Sequence, residues 1–571
     1  MSSSIPPDGP GGGAEYLEQG GGSPLGSSPK PAGSGRRKAL IAGGAVVALA
    51  LAGGAAAAAV WWSSTGAQPA EALPDSTLGY ASIDLDPSGE QKVEAIKMLK
   101  KFPAFNDEID LDTDDDLRQK MFEEFDLGEA CDGLDYGDDI EPWLGDRAAV
   151  AAVDTGEDTP VAAFVLQIKD EGAAKDGLAK IKDCAGESGG EGGGWVINGD
   201  WAVVAESDKI AQGIVDDAAE APLSDDEDYQ KWTDEVGDAG VINMYAAPAA
   251  GKFLADSADS LFGMGMGAGA TDFSSCVFDP EADPSAQEPC DDIEDMTGDS
   301  ESMSAMPEEF TQALEDFQGA ALTVRFDDGA LEVEMAGDSA LTEKTMPTTD
   351  KGDDVLSTLP EDTAAAIGVG LPEGWFSTML DQMSKYTGGE MTADDVIAQA
   401  EAETGLELPD DIETLLGEST ALAVSPDIDP EALVNSSSPE GLPIGVKIQG
   451  DPEEIEAILE KIRPQLGSQS EFLLSESEGD KIAIGLDQDY VSELLEDGDL
   501  GDSEVFKHVI REPGDASSIF FVNFDAGDGW LVKIAGDEKD VAENLEPLEG
   551  VGMSAWVEDD SSHVVFRVTT N

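Results

Sequence analysis

An internal repeat constrains the fold of this chain more than any other feature: six blocks of the sequence occur twice, in the same order. The clearest pair is LDYGDDIEPWLGDRAAVAAV at 134–153 and LELPDDIETLLGESTALAVS at 406–425. The other pairs of blocks begin at Leu73 and Leu359, Pro160 and Leu442, Asn198 and Glu478, Val241 and Ile519, and Glu308 and Lys539. Repeats of this kind indicate copies of one structural unit. We therefore predict two tandem units, 72–338 and 358–571, joined by a linker at 339–357.

The two copies differ in length because the first contains an insertion. Between its last two blocks the first copy is longer than the second, and we place the extra residues at about 257–306. This segment contains Cys276, Cys290 and several methionines among acidic residues. We predict that it is a disulfide-closed, partly mobile excursion.

The hydrophobic pattern within each copy predicts an α+β fold. In the first copy it predicts strands at 79–85, 148–153, 161–168, 320–326 and 330–335, and helices at 90–101, 115–125 and about 174–183. Asn198-Gly199 lies between two apolar runs and predicts a hairpin with a type I′ turn, since both residues tolerate positive φ. Hairpins imply antiparallel pairing. We therefore predict, in each unit, a mostly antiparallel sheet with helices packed on one face.

A membrane span is predicted at Ala39–Trp62, because these 24 residues contain no charged side chain. As a helix they would extend about 36 Å, which is enough to cross a hydrocarbon core of about 30 Å. The preceding residues, 1–38, are rich in Gly, Ser and Pro and are predicted to be a disordered tail, while residues 63–71 form a short linker after the span.

The orientation of the span follows from its flanking charges. Arg36, Arg37 and Lys38 immediately precede it, whereas the first charge after it is Glu71. The positive-inside rule therefore places the tail in the cytoplasm and the body outside the cell. The alternative is a cleaved signal peptide with a small-residue site at 57–59, but the long apolar run and the long polar tail before it favour an uncleaved anchor.

The chain is strongly acidic, with 122 Asp and Glu against 31 Lys and Arg and a net charge of −91. The tail carries +1 and the span carries none, so the predicted exterior part carries −92. Such a charge repels phosphate backbones and argues against nucleic acid as a partner. A large surplus of acidic residues is typical of proteins that stay soluble at high salt. The alternative is that the acidic surface binds divalent cations or basic ligands weakly.

Four cysteines, all in the predicted exterior part, are expected to form two disulfides: Cys131, Cys184, Cys276 and Cys290. Three pairings are formally available. We favour Cys131–Cys184 and Cys276–Cys290, since the second pair shares one loop. A zinc site is the alternative, but the sequence contains no C-x-x-C motif.

Several strings resemble a known family. ALPDSTLGYASIDLDPSGEQK at 72–92, KFPAF at 101–105 and CDGLDYGDDIEPWLGDRAAVA at 131–151 resemble the single-span surface proteins of high-GC Gram-positive bacteria that contain a domain of unknown function. The resemblance extends over most of 72–571 and the anchor. It implies the architecture described above, and no catalytic residue, cofactor or ligand.

Few motifs in the sequence predict chemistry. Asp110, Asp112 and Asp114 begin like a calcium loop but lack its glycine and its final glutamate, so they are weak calcium candidates. The string G-E-S-G-G at 186–190 fits G-x-S-x-G, but it follows a predicted helix rather than a strand, the reverse of a nucleophile elbow. The two histidines, His508 and His563, are expected to be surface residues without a catalytic partner.

These observations predict a membrane-anchored extracellular protein without a catalytic site or a cofactor. Its role is expected to be binding or scaffolding at the cell envelope, with an envelope protein or a small ligand as partner. One alternative is a surface carrier of a lipid or apolar ligand. The other is a hydrolase that uses a pair of carboxylates. Among 122 acidic residues close pairs are unavoidable, so their presence in the sequence does not indicate such an enzyme.

Overall fold

The computed structural model describes residues 68–84, 90–108, 116, 118–119, 122, 134–157, 159–187, 193–262, 308–339, 349–386, 392–427, 442–467, 470, 473–535 and 539–571. The predicted tail and the span Ala39–Trp62 lie outside them. Within the described part of the chain, no helix is long and apolar enough to cross a membrane.

Sixteen strands form the framework of the described residues. The first half contributes β1 (Thr77–Asp84), β2 (Leu144–Val153), β3 (Val161–Ile168), β4 (Gly194–Asn198), β5 (Trp201–Ala205), β6 (Ile242–Ala246), β7 (Ala320–Asp327) and β8 (Ala330–Asp338). The second half contributes β9 (Ala365–Gly370), β10 (Ser419–Val424), β11 (Ile444–Gln449), β12 (Leu474–Glu478), β13 (Lys481–Gly485), β14 (Ser518–Asn523), β15 (Leu548–Glu558) and β16 (Ser561–Thr570).

Fifteen α-helices are present in the described residues. Those of the first half are α1 (Glu90–Leu99), α2 (Pro103–Glu108), α3 (Glu171–Glu187), α4 (Asp208–Glu220), α5 (Glu227–Glu235), α6 (Pro248–Phe262) and α7 (Glu308–Glu315). Those of the second half are α8 (Trp375–Tyr386), α9 (Ala393–Thr404), α10 (Asp410–Leu416), α11 (Pro452–Leu466), α12 (Gln488–Leu495), α13 (Glu504–Val509), α14 (Trp530–Ala535) and α15 (Lys539–Leu545). A π-helical turn, Tyr136–Ile140, precedes β2.

All sixteen strands belong to one antiparallel sheet, and its two halves have the same strand order. From the outer edge to the centre, the first half runs β4-β5-β3-β2-β1-β6-β7-β8 and the second runs β12-β13-β11-β10-β9-β14-β15-β16. The α+β class and the mostly antiparallel pairing predicted from the sequence are therefore present.

The two halves meet at β8 and β16, which pair from Ala330 opposite Thr569 to Asp338 opposite Ser561. The sequence predicts one sheet in each unit, whereas the structure joins both into one. The reason is that β8 and β16 are the inner edges of their halves. An isolated half would leave the N–H and C=O groups of that edge unpaired.

Helices cover both faces of the sheet, so the prediction of helices on one face was wrong. Val203 of β5 packs against α4 through Ile214, whereas its neighbour Ala202 packs against α3 through Leu178. Consecutive strand residues point to opposite faces. We call the face of Val203 face A and the face of Ala202 face B.

The second half repeats this arrangement. Ala483 lies in one apolar cluster with Val491 of α12, on face A, and the adjacent Ile482 lies in another with Ile455 of α11, on face B. Helix starts are also repeated: Ser207 and Asp487 cap α4 and α12, and Asp226 and Ser503 cap α5 and α13. Each such cap contributes about 1 kcal/mol to helix stability.

The predicted hairpin after Asn198 is present, with a different turn. Asn198 pairs with Trp201, so the two-residue loop is Gly199-Asp200. Only the first of these residues has positive φ (Gly199, 61°), which is the pattern of a type II′ turn rather than type I′. Glu478 pairs with Lys481 in the same way around Gly479.

Candidate functional site

A row of apolar side chains crosses the middle of face B. It follows the register of six adjacent strands, β10, β9, β14, β15, β16 and β8, and its members are Leu422, Ile367, Phe520, Met553, Phe566 and Val333. Each is directly opposite the next, so all six side chains lie on one face. We call this row the apolar band. It contains no charged or polar side chain.

Part of the apolar band is exposed to solvent. Ile367, Leu422 and Phe566 are 45%, 40% and 36% exposed, and Met335 beside the band on β8 is 44% exposed. These are half of the eight large apolar residues classed as exposed in the described part of the chain. Contiguous apolar surface of this kind marks interaction sites more often than scattered apolar residues do.

The first half contains a matching row on the same face. It crosses β2, β1, β6, β7, β8 and β16 through Val150, Ala81, Met244, Leu322, Met335 and Val564. Most of these side chains are half-buried. The exposed apolar surface is therefore concentrated in the second half and at its junction with the first.

Helices on face B form a wall along one side of the apolar band. Next to Ile367, Ala365 lies under Trp530 and Leu531 of α14. Next to Phe566, Val568 lies under α1, in a cluster with Met98. The band is thus the floor of a groove with helical walls along one side.

On face A, directly behind the junction, a buried ion cluster holds the two halves together. The carboxylate of Glu332, on β8, is 1% exposed and is paired with Arg325 of the first half. From the second half, Arg567 Nε lies 3.0 Å and Arg511 Nε 3.1 Å from Glu332 Oε2. Three guanidinium groups therefore contact the carboxylate of Glu332. The cluster has a structural role, since each charge in it is paired.

His563 lies on β16, four residues before Arg567, and the expectation that it is a surface residue was wrong. The side chain is 5% exposed, and its ring stacks on Trp556 with a centroid distance of 5.1 Å and an interplanar angle of 6°. Its Nε2 lies 3.5 Å from Glu235 Oε2, on α5 of the first half. Burial lowers the pKa of His563, while the charges of Glu235 and Glu558 oppose that shift.

A cleft of about 420 Å³ lies on face B of the first half, between the π-helical turn and α3. Its floor includes Trp143 and Gly177, and a Cβ at Gly177 would lie 2.2 Å from Trp143 Nε1. The hydrogen bond from Lys180 lowers the pKa of Asp139, the buried carboxylate of this cleft. Asp139 is therefore ionised and paired, which does not suit a general acid.

The second half repeats this ion pair. Lys461 Nζ lies 2.7 Å from Asp411 Oδ2, and the same oxygen accepts the N–H of Glu407 at 2.7 Å. Asp139 likewise accepts the N–H of Asp135, four residues before it, at 3.1 Å. A pair that is repeated in both halves indicates a role in folding, since it fixes the turn before the second strand of each half.

The metal and disulfide candidates from the sequence are only partly within the described residues. Asp110, Asp112 and Asp114 lie outside them, and within them no group of three or more His, Cys, Asp or Glu side chains is placed to hold a metal ion. Cys184, on α3, is disulfide-bonded. Cys131, Cys276 and Cys290 lie outside the described residues, so both pairings stay predictions.

The remaining motif residues are separate in space from the apolar band. Gly186 and Glu187 of the G-E-S-G-G string end helix α3, and the rest of the string lies outside the described residues. His508, on α13, is exposed, and its Nδ1 lies 3.7 Å from Glu549 Oε2. Of the predicted insertion, residues 257–262 belong to α6 and the rest lies outside the described residues.

Comparison with known proteins gives one match to a family model. A family model described as "Protein of unknown function (DUF3352)" matches residues 42–262, which include β1–β6. Neither a curated protein nor a solved structure is significantly similar to the chain. The first half is therefore similar to a domain of unknown function.

Proposed function

We propose that this chain is a binding protein whose partner docks on the apolar band. The observation that supports this role is the exposure of Ile367, Leu422 and Phe566 on adjacent strands in the middle of a sheet. Leaving such side chains in water costs about 25 cal/mol per Å² of apolar surface, and a docked partner recovers that free energy. The proposed role is binding or scaffolding, without catalysis.

The cellular setting is part of the same proposal. We infer that Ala39–Trp62 anchors the chain in the membrane and that the acidic body lies outside the cell. The uncharged run and the three basic residues before it support this orientation.

Photo-crosslinking on intact cells tests the binding role. A photoreactive residue at Ile367 or Phe566 of the full chain should form an adduct with a partner. Val541 is a matched control, since it is 45% exposed but lies on α15, outside the band. Equal adducts at all three positions, or adducts at none of them, would count against the band as the binding surface.

Cysteine labelling tests the orientation. The turn residue Asp559 is exposed, so in the Asp559→Cys variant a membrane-impermeant maleimide should label intact cells. A Lys30→Cys variant should be labelled only after lysis. The reverse result would place the body in the cytoplasm and remove the envelope from the proposal.

A carrier of an apolar ligand is the second candidate, because the band contains no polar group that would select one protein partner. In that case the crosslinked species would be a lipid or another small molecule, which the mass of the adduct distinguishes from a protein.

We also infer that the two halves arose by duplication. Their identical strand order supports this, as do the paired motifs Asp139–Lys180 and Asp411–Lys461. Thr77 and Thr363 make the same turn bond: each Oγ1 donates to the carbonyl three residues earlier, at 2.7 Å.

A further inference from the structure

We propose that the apolar band binds an amphipathic α-helix that carries basic residues on its polar side. This inference rests on the proposed binding function and names the chemistry of the partner.

The position of the band restricts how a partner docks. Each strand that carries it, from Leu422 on β10 to Val333 on β8, is hydrogen-bonded to a neighbour on both sides. A partner strand therefore finds no free N–H and C=O groups there, and it cannot extend the sheet. Contact has to be made by side chains, as when the apolar side of a helix lies in a groove.

The length of the band suits a short helix. Six strands with a spacing of about 4.8 Å place Leu422 and Val333 about 24 Å apart. A helix with a rise of 1.5 Å per residue covers that distance in about 16 residues. Its apolar residues, three to four positions apart, would contact the band while α1 and α14 contact its flank.

Charge selects among the apolar partners that would fit. The chain carries 122 acidic and 31 basic residues, so two copies placed face to face would repel each other, as would an anionic lipid surface. A helix with Lys and Arg on its polar side is attracted to the acidic chain, which raises its association rate. Salt should weaken its binding, because screening acts on these exposed charges.

Three synthetic peptides of about 18 residues test the proposal on the full chain in zwitterionic nanodiscs, with empty nanodiscs as blank. The first has a leucine stripe and lysines on its polar side, the second has glutamates in place of the lysines, and the third is a scramble of the first. Fluorescence anisotropy should give at least tenfold tighter binding for the first peptide than for the other two. Its affinity should fall as salt is added.

Variants locate the binding site. Ile367→Ser and Phe566→Ser should each weaken the first peptide about tenfold, whereas the control Val541→Ser should leave its affinity unchanged. Thermal unfolding of each variant checks that the fold is intact. Equal binding of the first peptide and its scramble, or equal loss in all three variants, would show attraction to acidic surface alone and overturn the proposal.

Other occupants give distinct results. Self-association of the full chain that Ile367→Ser abolishes would identify a second copy as the occupant. Binding of the first peptide only after deletion of residues 263–307 would identify that segment of the chain as the occupant. Either result overturns the basic-helix proposal. Adducts at Ile367 in cells together with no preference for the lysine peptide would keep the binding function and reject this partner.

Discussion

At the scale of single residues, the least expected side chain is Lys447, which is completely buried on β11. Its Nζ donates to the carbonyl oxygens of Thr358 at 3.0 Å and Glu496 at 3.3 Å. Burial, together with the positive charge of nearby Lys481, lowers the pKa of Lys447 to about 8, and the charge of Asp497 opposes this shift. The corresponding residue of the first half is the apolar Val165, since Val165 and Lys447 pair with equivalent alanines of β2 and β10.

We expect Lys447→Met to stabilise the protein, because it removes the cost of burying a cation. Below pH 8 that cost is fully present in the natural chain. A lysine in the unfolded chain has a pKa of about 10.4, so between about pH 8 and pH 10.4 the unfolded chain binds more protons than the folded one. The free energy of unfolding should therefore rise by up to about 3 kcal/mol across this pH range. Urea titrations across this range should show a rise for the natural chain that the variant lacks.

The carbonyl oxygen of Thr358 keeps a partner in that variant, because it also accepts the backbone N–H of Gly498 at 3.0 Å. Lys507→Met serves as the control, since Lys507 is exposed and pairs with Asp502. A variant at 447 that is less stable than the natural chain at neutral pH would show that the two carbonyl bonds outweigh the cost of burial.

His563 gives a second test at this scale. Burial lowers its pKa below the ordinary value, so its contribution to stability is present above about pH 6.5 and is lost as the pH falls through the folded value. His563→Phe keeps a ring against Trp556 but takes up no proton. The melting temperature of this variant should therefore rise relative to the natural chain between about pH 7 and pH 5.

The exposed His508 provides the control for that measurement. His508→Phe makes the same substitution at a half-exposed site on α13, outside the stack on Trp556. Parallel melting curves for His563→Phe and the natural chain at every pH would mean that folding does not change the proton affinity of His563.

At the scale of helices and strands, the features predicted correctly are those that depend on residues close together in the sequence. The hairpin around Gly199 and the starts of β3 and β7 were predicted correctly because apolar runs and turn residues are local signals. β2 begins four residues before its predicted start because Leu144–Arg147 lack the apolar pattern used to find it.

The second covered face was missed although the sequence contained a signal for it. Strand β5 reads Trp-Ala-Val-Val-Ala, without the polar alternation of a strand that has one wet face. Continuous apolar runs are typical of strands buried on both faces. The same signal in Ser518–Asn523, where Phe520 and Phe521 are adjacent, would have predicted apolar side chains on both faces and so the apolar band.

The ion cluster at the junction supports a prediction at this scale. Glu332→Gln removes the negative charge that three arginines share, and it leaves Arg567, which is 2% exposed, without a full counter-charge. Loss of one partner from a buried ion pair costs about 3–5 kcal/mol. Chemical unfolding should therefore show a loss of about that size, whereas Glu478→Gln at an exposed site of β12 should cost almost nothing. Similar curves for the two variants would show that water reaches the cluster.

At the scale of the whole molecule, the repeat in the sequence does not reveal how the units associate. Pairing of β8 with β16 joins residues that are more than 200 positions apart, and no local pattern specifies such a contact. Helices of the first half also reach across the junction. Lys101, after α1, donates to Thr570 Oγ1 at 2.8 Å, and Ala104 N–H donates to Asn544 Oδ1 at 3.0 Å.

These contacts predict that the halves stay together without a covalent connection. A specific protease site placed at 341–347 of the full chain allows the connection to be cut after folding. Because the β8–β16 ladder, the Glu332 cluster and the α1 contacts remain, the two fragments should co-elute in size-exclusion chromatography and unfold in one thermal transition. Cleaved Glu332→Gln protein should dissociate at a lower denaturant concentration than the cleaved natural chain. If the fragments separate without denaturant, or melt in two independent transitions, the sheet behaves as two domains in contact, and the groove floor formed by Phe566 and Val333 would not be a stable binding surface.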